Sequence, residues 1–500
     1  MARYPFQQLD VIRKASQRGN KITDCYRLMY NKELWMKAYG ELYPNGGSLP
    51  KGASDKTIDG FGLQIIDDII EKLKAGTFRF TPVERDYIRK SSGKKRPLEV
   101  PNVKDQLVQE VMRMIIDHVY EPVFSANSHG TREGRSCHTA LSQVKNTWQG
   151  LTWCIKGDMK GYSDQIDHSV LLNFISKKIK DRRFLLLIHH ALTCGVMGNR
   201  TYHKTYCGTL QRGIISPLLA NIYLHEFDMY MENLMDKFGK GRVRSEHSVN
   251  WEDRNELALS IEQLKTKQVE APLFNPADKN GQRMKYVRYD DGFVIGIASS
   301  KQSALYIKER ITAFLLKELH LILREENILI THMDHPISFL GYEFRKRNEI
   351  KAKRLADKNQ KHALKKRTLS GAIKLEIPTK KMKEFALKNG YGHLDDFTIV
   401  HRSKLMNNSE MDILSTYNAE LKEIANYYKL ANNYHHLDRL FYLAESSFIK
   451  TIANKRRSTS KKVATSMRTS KQGVLCLVRR DTKGKEKLHP FIKLKDLPKT

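Results

Sequence analysis

Long apolar runs and paired cysteines are both missing from this sequence of 500 residues. No apolar stretch approaches the roughly 18 residues that a membrane-spanning helix needs, and the N-terminus has no apolar signal-peptide core. The six cysteines are scattered, with no Cys-x-x-Cys and no histidine at zinc-ligand spacing. We therefore expect reduced, mostly buried thiols in a reducing compartment, and no membrane partner.

Acidic residues are also in short supply. The chain has 55 Asp and Glu against 87 Lys and Arg, which gives a formal net charge of +32 at pH 7. The excess of cations is spread along the chain rather than confined to a tail. This balance favours a phosphate-rich partner and salt-dependent binding, although a generally basic, ribosome-like protein would show it too.

The segment MKYVRYDDGFVIGIA, residues 284–298, predicts a β-hairpin. Asp-Gly between two β-branched and aromatic runs is a strong hairpin signal, and we expect Gly292 to supply the positive φ of the turn. Adjacent carboxylates at a hairpin tip repel each other, yet they are well placed to hold divalent metal ions. A solvated turn is the alternative interpretation of this segment alone.

A second carboxylate signal lies at the end of a predicted strand, residues 152–158 (TWCIKGD). Two-metal nucleotidyl transfer needs carboxylates from separate strands around ions about 3.5–4 Å apart. Asp158 and the Asp290–Asp291 pair would meet that need if the strand and the hairpin are neighbours. Asp164 and Asp167, which follow closely, are equally consistent with helix N-caps.

Apolar periodicity predicts the other elements. Residues 1–45 look helical, and residues 236–283 read as a charged surface insertion. Helices are predicted over about 60–75, 104–119 and 303–321, and strands over 78–90, 321–331 and 337–344. Helical periodicity with interleaved aromatic residues returns over 412–453, where we expect most of the rings to be core rather than base-stacking platforms.

Several basic segments are candidates for phosphate contact. A basic turn with Lys95 and Arg96 precedes a helix, and a Gly-punctuated loop at 128–136 carries Arg132 and Arg135; a solvated turn is the alternative for the first of these. The segments around 345–383 and 454–462 suit RNA contact. Their candidate RNA-binding residues are Lys365, Lys366, Arg367, Lys455, Arg456 and Arg457.

Taken in order, seven segments resemble those of the reverse transcriptase–maturase proteins encoded within group II introns, of the mitochondrial-like lineage. The segments are GKKRPLEVPNVKDQLVQE, SHGTREGRSCHTAL, WCIKGDMKGYSDQIDH, GTLQRGIISPLLANIYLHEFD, YVRYDDGFVIG, FLGYEF and YNAELKEIANYY. The resemblance covers almost the whole chain, and the ordered set is far more specific than any one segment.

The resemblance implies an α+β fold, with the fingers and palm of a right-hand polymerase built on an antiparallel sheet and followed by an α-helical thumb. The domains it implies are an N-terminal extension with the start of the fingers (1–90), fingers and palm (91–345), a basic linker (346–385), the maturase (X) thumb (386–460) and a basic C-terminal DNA-binding remnant (461–500). We expect the zinc-containing endonuclease domain of the family to be missing.

The resemblance also assigns roles to site residues. Asp158 and Asp291 would hold Mg²⁺ in a two-metal site, with Asp290 as a substitute ligand. Lys95 and Arg96 would contact the incoming triphosphate, and Gln211 would approach the nascent base pair. Ser163 stands where the family carries an aromatic residue that excludes the ribose 2′-hydroxyl.

Departures from the family pattern cluster at the chemistry. The family hairpin usually reads Tyr-Ala-Asp-Asp-Phe; without gaps, Asp290 takes the alanine position and Gly292 replaces the second aspartate. A one-residue gap would keep both acids but flip side chains to the opposite face, so we favour the ungapped alignment. Thr131 replaces an aromatic residue, Arg212 a glycine and Asn327 a lysine.

Three functions follow as hypotheses. The first is a group II intron maturase that binds intron RNA and promotes splicing, with a weak or inactive polymerase site. The second is an active RNA-directed DNA polymerase that supports intron mobility, and the third is a generic basic RNA-binding protein on a polymerase-derived scaffold. The altered palm and missing endonuclease favour the mitochondrial matrix over a bacterial cytoplasm, and the resemblance leaves a DNA primer or target and a homodimer open.

Overall fold

The computed structural model describes residues 5–42, 63–89, 95–159, 161–198, 201–208, 213–239, 283–347, 353–354, 365–366, 372–468, 474–480 and 486–497. The chain divides into two compact units. The first comprises residues 1–140 and 151–331, and the second comprises residues 141–150 and 332–500. Among the described residues, no helix has the length and apolar character needed to cross a membrane.

The elements of the first unit alternate between helices and short strands. Its helices are α1 (Pro5–Gln17), α2 (Cys25–Leu28), α3 (Lys32–Leu42), α4 (Leu63–Ala75), α5 (Val103–Tyr120), α6 (Cys137–Thr147, whose last residues belong to the second unit), α7 (His168–Lys178), α8 (Arg182–Leu192), α9 (Ser216–Gly239) and α10 (Lys301–Leu319). Its strands are β1 (Val83–Arg89), β2 (Lys95–Val100), β3 (Trp153–Asp158), β4 (Val196–Gly198), β5 (Thr201–His203), β6 (Arg283–Tyr289), β7 (Gly292–Ala298) and β8 (Ile328–His332).

The helices form where apolar spacing and N-caps predict them. In α4 the side chains of Ile66, Ile69, Ile70 and Leu73 are buried, which is the i, i+3, i+4, i+7 pattern of one helix face. The Asn102 side chain caps α5, and Ser300 caps α10. The predicted helices at 104–119 and 303–321 are confirmed, and the one at 60–75 is confirmed over its described residues 63–75. The predicted strand at 321–331 begins only at Ile328.

The sheet that positions the candidate site has the order β6-β7-β3-β8. Its central strand β7 is buried from Phe293 to Ile297, as expected for a strand with neighbours on both edges. Helix α9 packs on this sheet through Phe227, whose ring lies 5.2 Å from that of Phe293 and 5.6 Å from that of Tyr286. A second sheet has the order β2-β1-β4-β5.

The second unit is mainly helical. Its strands are β9 (Ile337–Phe339), β10 (Tyr342–Lys346), β11 (Lys353–Arg354), β12 (Lys365–Lys366), β13 (Ile373–Glu376), β14 (Cys476–Arg480) and β15 (Glu486–Pro490). Its helices are α11 (Thr379–Lys388), α12 (Glu410–Tyr427), α13 (Leu437–Lys455) and α14 (Ser460–Met467). Sheet β13-β10-β9 uses part of the segment that was predicted to be a linker.

Aromatic rings form the core of the second unit. Tyr417 of α12 is fully buried, stacks on Tyr391 with 5.4 Å between ring centroids, and contacts Phe448 of α13 edge-on. Its hydroxyl hydrogen-bonds Ser447 and Thr451. Phe491, which follows β15, packs against the rings of Tyr417 and Phe448, so the tail joins this core. The antiparallel sheets and the helical second unit confirm the predicted α+β class.

Candidate active site

The two predicted carboxylate segments lie side by side. Strand β3 pairs with β7 in antiparallel fashion, and this register places Asp158 opposite Gly292. Beyond the last pair, the backbone N–H of Met159 donates to the carbonyl oxygen of Asp291 at 3.0 Å. The end of β3 and the tip of the β6–β7 hairpin therefore meet at one edge of the sheet, as the motifs predicted.

The turn of this hairpin differs from the prediction in one respect. Tyr289 pairs with Gly292, so Asp290 and Asp291 are the two turn residues and Gly292 is the first residue of β7. The positive φ belongs to Asp290, at 50°. The prediction that Gly292 supplies it is wrong, because pairing with Asp158 draws Gly292 into the sheet, and aspartate tolerates the left-handed region better than most residues.

The carboxylate of Asp290 faces the loop formed by residues 128–131. The hydroxyl of Thr131 donates to Asp290 Oδ1 at 3.0 Å. A Cβ atom built on Gly130 would lie 2.0 Å from the same oxygen, so only glycine permits this approach. Thr131 and Asp290, two departures from the family pattern, thus contact each other. The catalytic role predicted for Asp290 stays a prediction.

A fully buried ion pair, which the sequence analysis missed, supports the hairpin. Arg288 of β6 and Asp228 of α9 both have 0% side-chain exposure, and the guanidinium binds the carboxylate through two hydrogen bonds of 2.6 and 2.8 Å. The hydroxyl of Tyr286 donates to the same carboxylate at 2.8 Å. An arginine inside an apolar strand and an aspartate inside an apolar helix were the available signals.

Arg288 donates three further hydrogen bonds, to α9, to the hairpin turn and to the loop at Ser128. The acceptors are the side chain of Asn221, the carbonyl oxygen of Asp290 and the hydroxyl of Ser128, at 3.1, 2.9 and 2.7 Å. Burial alone would lower the pKa of Arg288, but the charge of Asp228 and its hydrogen bonds outweigh burial and raise this pKa above its usual range. The guanidinium is therefore a permanent clamp on the hairpin tip.

The segment after β3 carries Ser163, a predicted site residue. Ser163 lies in a 3₁₀ turn that follows Gly161, whose φ is 75°. The backbone of Gly208 approaches this turn, since a Cβ atom there would lie 3.0 Å from the carbonyl oxygen of Ser163. Asp167 caps α7 by accepting hydrogen bonds from two backbone N–H groups, which confirms the helix-cap alternative for that residue.

The structure places the predicted basic residues in different settings. Arg132 is 5% exposed and forms a two-point ion pair with Glu121. Arg135 donates to the Ala126 carbonyl oxygen, and Lys455 donates to the Met406 carbonyl oxygen. Their role in RNA contact stays a prediction.

Both arginines of the C-terminal basic cluster are exposed. Arg456 also forms an ion pair with Glu410 at 2.6 Å. The backbones of Lys95 and Arg96 lie in β2, and those of Lys365 and Lys366 in β12. The side chains of these four, and the whole of Arg367, Gln211 and Arg212, fall outside the described residues.

The described residues fit a two-metal site poorly. They contain no group of three or more His, Cys, Asp or Glu side chains that could hold a metal ion. Asp158 ends β3 and Asp291 lies in the neighbouring hairpin turn, but Gly292 offers no ligand and Asp290 contacts Thr131.

Comparisons with known proteins match most of the chain. A model of reverse transcriptase (RNA-dependent DNA polymerase) matches residues 88–344, and a model of type II intron maturase matches residues 372–488. The group II intron-encoded protein LtrA of Lactococcus lactis is 40% identical over 476 residues, covering 91% of this chain and 78% of that protein.

Two mitochondrial relatives are more distant. The putative COX1/OXI3 intron 1 protein of Saccharomyces cerevisiae is 32% identical over 88% of this chain and 54% of its own length. The nuclear intron maturase 1, mitochondrial, of Arabidopsis thaliana is 25% identical over 53% of this chain and 46% of its own length.

Proposed function

Because this chain belongs to the group II intron-encoded reverse transcriptase and maturase family, we propose that its main activity is to bind intron RNA and promote splicing. The reverse transcriptase domain then serves chiefly as a binding scaffold, with a weak or inactive polymerase site. The neutralisation of intron phosphates by basic side chains would let the RNA fold and perform its own metal-dependent chemistry.

The contrast between the hairpin tip and the second unit carries this proposal. At the tip, the ungapped alignment with the family pattern puts Gly292 at one carboxylate position, and the Asp290 carboxylate accepts a hydrogen bond from Thr131. In the second unit, the helices that match the maturase model share a continuous aromatic core around Tyr417. The chain therefore keeps the parts that bind RNA while the polymerase site is altered.

An active reverse transcriptase using Mg²⁺ is the second candidate function. The observation in its favour is the register of β3 and β7, which keeps Asp158 beside the hairpin tip that carries Asp291. In that case Lys95, Arg96, Ser163 and Gln211 would contact the nucleotide or the nascent pair. The same two carboxylates would be the metal ligands.

Replacing Asp158 with asparagine separates the two functions. Under the proposal, splicing of a precursor transcript by the purified variant should stay within about two-fold of wild type, since the RNA performs the chemistry. Primer extension with deoxynucleotides and Mg²⁺ or Mn²⁺ is measured alongside. Splicing lost at unchanged stability and RNA affinity would contradict the proposal, and wild-type extension abolished by Asp158→Asn would establish the alternative.

Gly292→Asp tests whether the other two carboxylates still form a metal site. Like charges directly opposite in a sheet destabilise it by up to about 1 kcal/mol, so the variant should unfold at a lower temperature without divalent ions. Mg²⁺ that binds the folded protein should restore this stability. Under the second candidate function, primer extension should also rise about ten-fold, which corresponds to a barrier lower by about 1.4 kcal/mol.

Gly292→Asn is the matched control, because it adds the same volume without the charge. A Gly292→Asp variant that is indifferent to Mg²⁺ would mean that Asp158 and Asp291 no longer converge on an ion. Stability restored by Mg²⁺ without any gain in extension would assign the loss of activity to other departures, such as Arg212 or Ser163.

We also propose a compartment, an assembly state and domain limits for this protein. We place the protein in the mitochondrial matrix, with a bacterial cytoplasm as the alternative, because relatives come from both settings. Domain limits at 1–90, 91–345, 346–385, 386–460 and 461–500 are proposals, as are a homodimer and a DNA primer or target. Light scattering of the purified protein tests the homodimer.

A further inference from the structure

A loop in the second unit is fastened along one face of α13. The side chains of Arg439, Ser447 and Lys450 donate to the carbonyl oxygens of Asp395, Val400 and Ile399, at 3.2, 2.6 and 2.9 Å respectively. Three hydrogen bonds from one helix to carbonyl groups at both ends of the loop fix the position of residues 395–400. The side chains that residues 395–400 expose to solvent are therefore held in a fixed position.

The loop forces an aromatic residue into a rare backbone conformation. Phe397 has a φ of 60°, in the left-handed region that bulky residues seldom adopt. Gly392, with a φ of 123°, packs so tightly that an added Cβ would lie 1.9 Å from the Thr398 carbonyl oxygen. Backbone strain of this kind persists only where the surrounding contacts impose it, and it is common at binding sites.

Phe397 lies beside an unusually exposed tyrosine. The Tyr442 side chain is 62% exposed, and its ring centroid lies 5.6 Å from that of Phe397. The guanidinium of Arg439 lies over the Phe397 ring, 5.3 Å from its centroid. By contrast, several other aromatic residues of this unit are buried, namely Tyr417, Tyr428, Tyr434, Phe441 and Phe448.

The charges around these rings favour a polyanion. Arg439 and Lys450 lie on α13, the helix that also carries Tyr442, and both reach the loop around Phe397. Of the two carboxylates in the loop, Asp395 pairs with Lys383 at 2.7 Å, and Asp396 accepts a hydrogen bond from the backbone N–H of Thr398. Lys383 thus neutralises Asp395, whereas Asp396 stays anionic because its hydrogen bond from Thr398 lowers its pKa. Arg439 and Lys450 are the cations beside the exposed ring of Tyr442 and the half-buried ring of Phe397.

We propose that Phe397, Arg439 and Tyr442 form an aromatic platform on which an unpaired base of the bound RNA stacks. Aromatic rings stack on any base, while neighbouring cations contact the adjacent phosphates. A base within a duplex is already stacked on its neighbours, so the platform distinguishes single-stranded from paired RNA. This inference rests on the proposed RNA-binding function and names one contact that would serve it.

The test uses the full-length protein with two RNA probes, an oligo(A) of about 16 nucleotides and a duplex of the same length. Tyr442→Ala and Phe397→Ala should each weaken oligo(A) binding by about five- to one-hundred-fold, since base stacking supplies that range per base. Duplex binding and the dependence of affinity on salt should not change. Tyr442→Phe keeps the ring and should bind within about two-fold of wild type.

Leu387→Ala is the matched control, because Leu387 is a 52% exposed apolar side chain of the same unit. Ultraviolet cross-linking of oligo(A), followed by peptide mapping, should recover the peptide with Phe397 or Tyr442. Unchanged oligo(A) affinity in both alanine variants would overturn the platform and leave the rings to a protein partner. Splicing by the wild-type protein is measured separately, so failure of the proposed function would be seen independently.

Discussion

Replacing Asp228 with alanine is expected to lower the free energy of unfolding by about 3–5 kcal/mol, because it leaves the buried guanidinium of Arg288 without its counter-charge. Both side chains have 0% exposure, so the guanidinium left behind is shielded from bulk solvent. Tyr286 would lose its acceptor in the same step. Denaturant unfolding, followed by a probe in the first unit, measures the change.

Two controls make this result specific to the buried pair. Asp67→Ala removes an ion pair of similar length, since Asp67 lies 2.7 Å from Lys32. Both of these side chains are about half exposed, so the free energy of unfolding should fall by less than about 1 kcal/mol. The double variant Asp228→Leu with Arg288→Met replaces the pair by apolar side chains and should recover most of the stability. Equal losses in Asp228→Ala and Asp67→Ala would show that the clamp adds little.

The clamp also explains why part of the site lay beyond sequence analysis. Tyr286 and Arg288 are two residues apart in β6 and so lie on one face of the strand, and both bind Asp228. The partner residues come from α9 and from the loop at Ser128, which are 60 and 160 residues away from Arg288 in the sequence. No local pattern specifies which distant segments will meet a buried guanidinium.

The hairpin shows how a local rule can locate an element and still misplace its turn. The Asp-Gly signal predicted the hairpin correctly, because the flanking runs have strand character. The turn position was decided instead by the neighbouring strand, which pairs Asp158 with Gly292. Because this pairing holds Gly292 in the sheet, the positive φ falls on Asp290 rather than on the glycine of the Asp-Gly signal.

The aromatic residues of α12 and α13 illustrate the same limit. Periodicity correctly predicted that most of these rings are core, as the burial of Tyr417 and Phe448 shows. The exposure of Tyr442 could not be predicted, because it depends on how much of α13 the loop at Phe397 covers and how much it leaves open. Helical spacing identifies a face, but not the segment that packs across it.

RNA affinity is expected to fall by about 10³- to 10⁵-fold between about 50 and 200 mM salt, the range for about six to ten phosphate contacts. The formal net charge of +32 on 500 residues supports contacts of that number. Binding of a structured RNA to the purified protein, titrated over a series of KCl concentrations, gives the slope of log affinity against log salt. A flat response over this range would remove the electrostatic account of RNA binding.

Single variants should show which cations produce this slope. Arg457 is exposed, so Arg457→Gln should reduce the magnitude of the slope by about one contact. Arg132 was predicted from sequence to contact RNA, yet it is 5% exposed and holds Glu121, so Arg132→Gln should lower stability and leave the slope unchanged. If Arg132→Gln reduced the slope at wild-type stability, the buried ion pair would have to open on RNA binding, and the sequence-based assignment of Arg132 would stand.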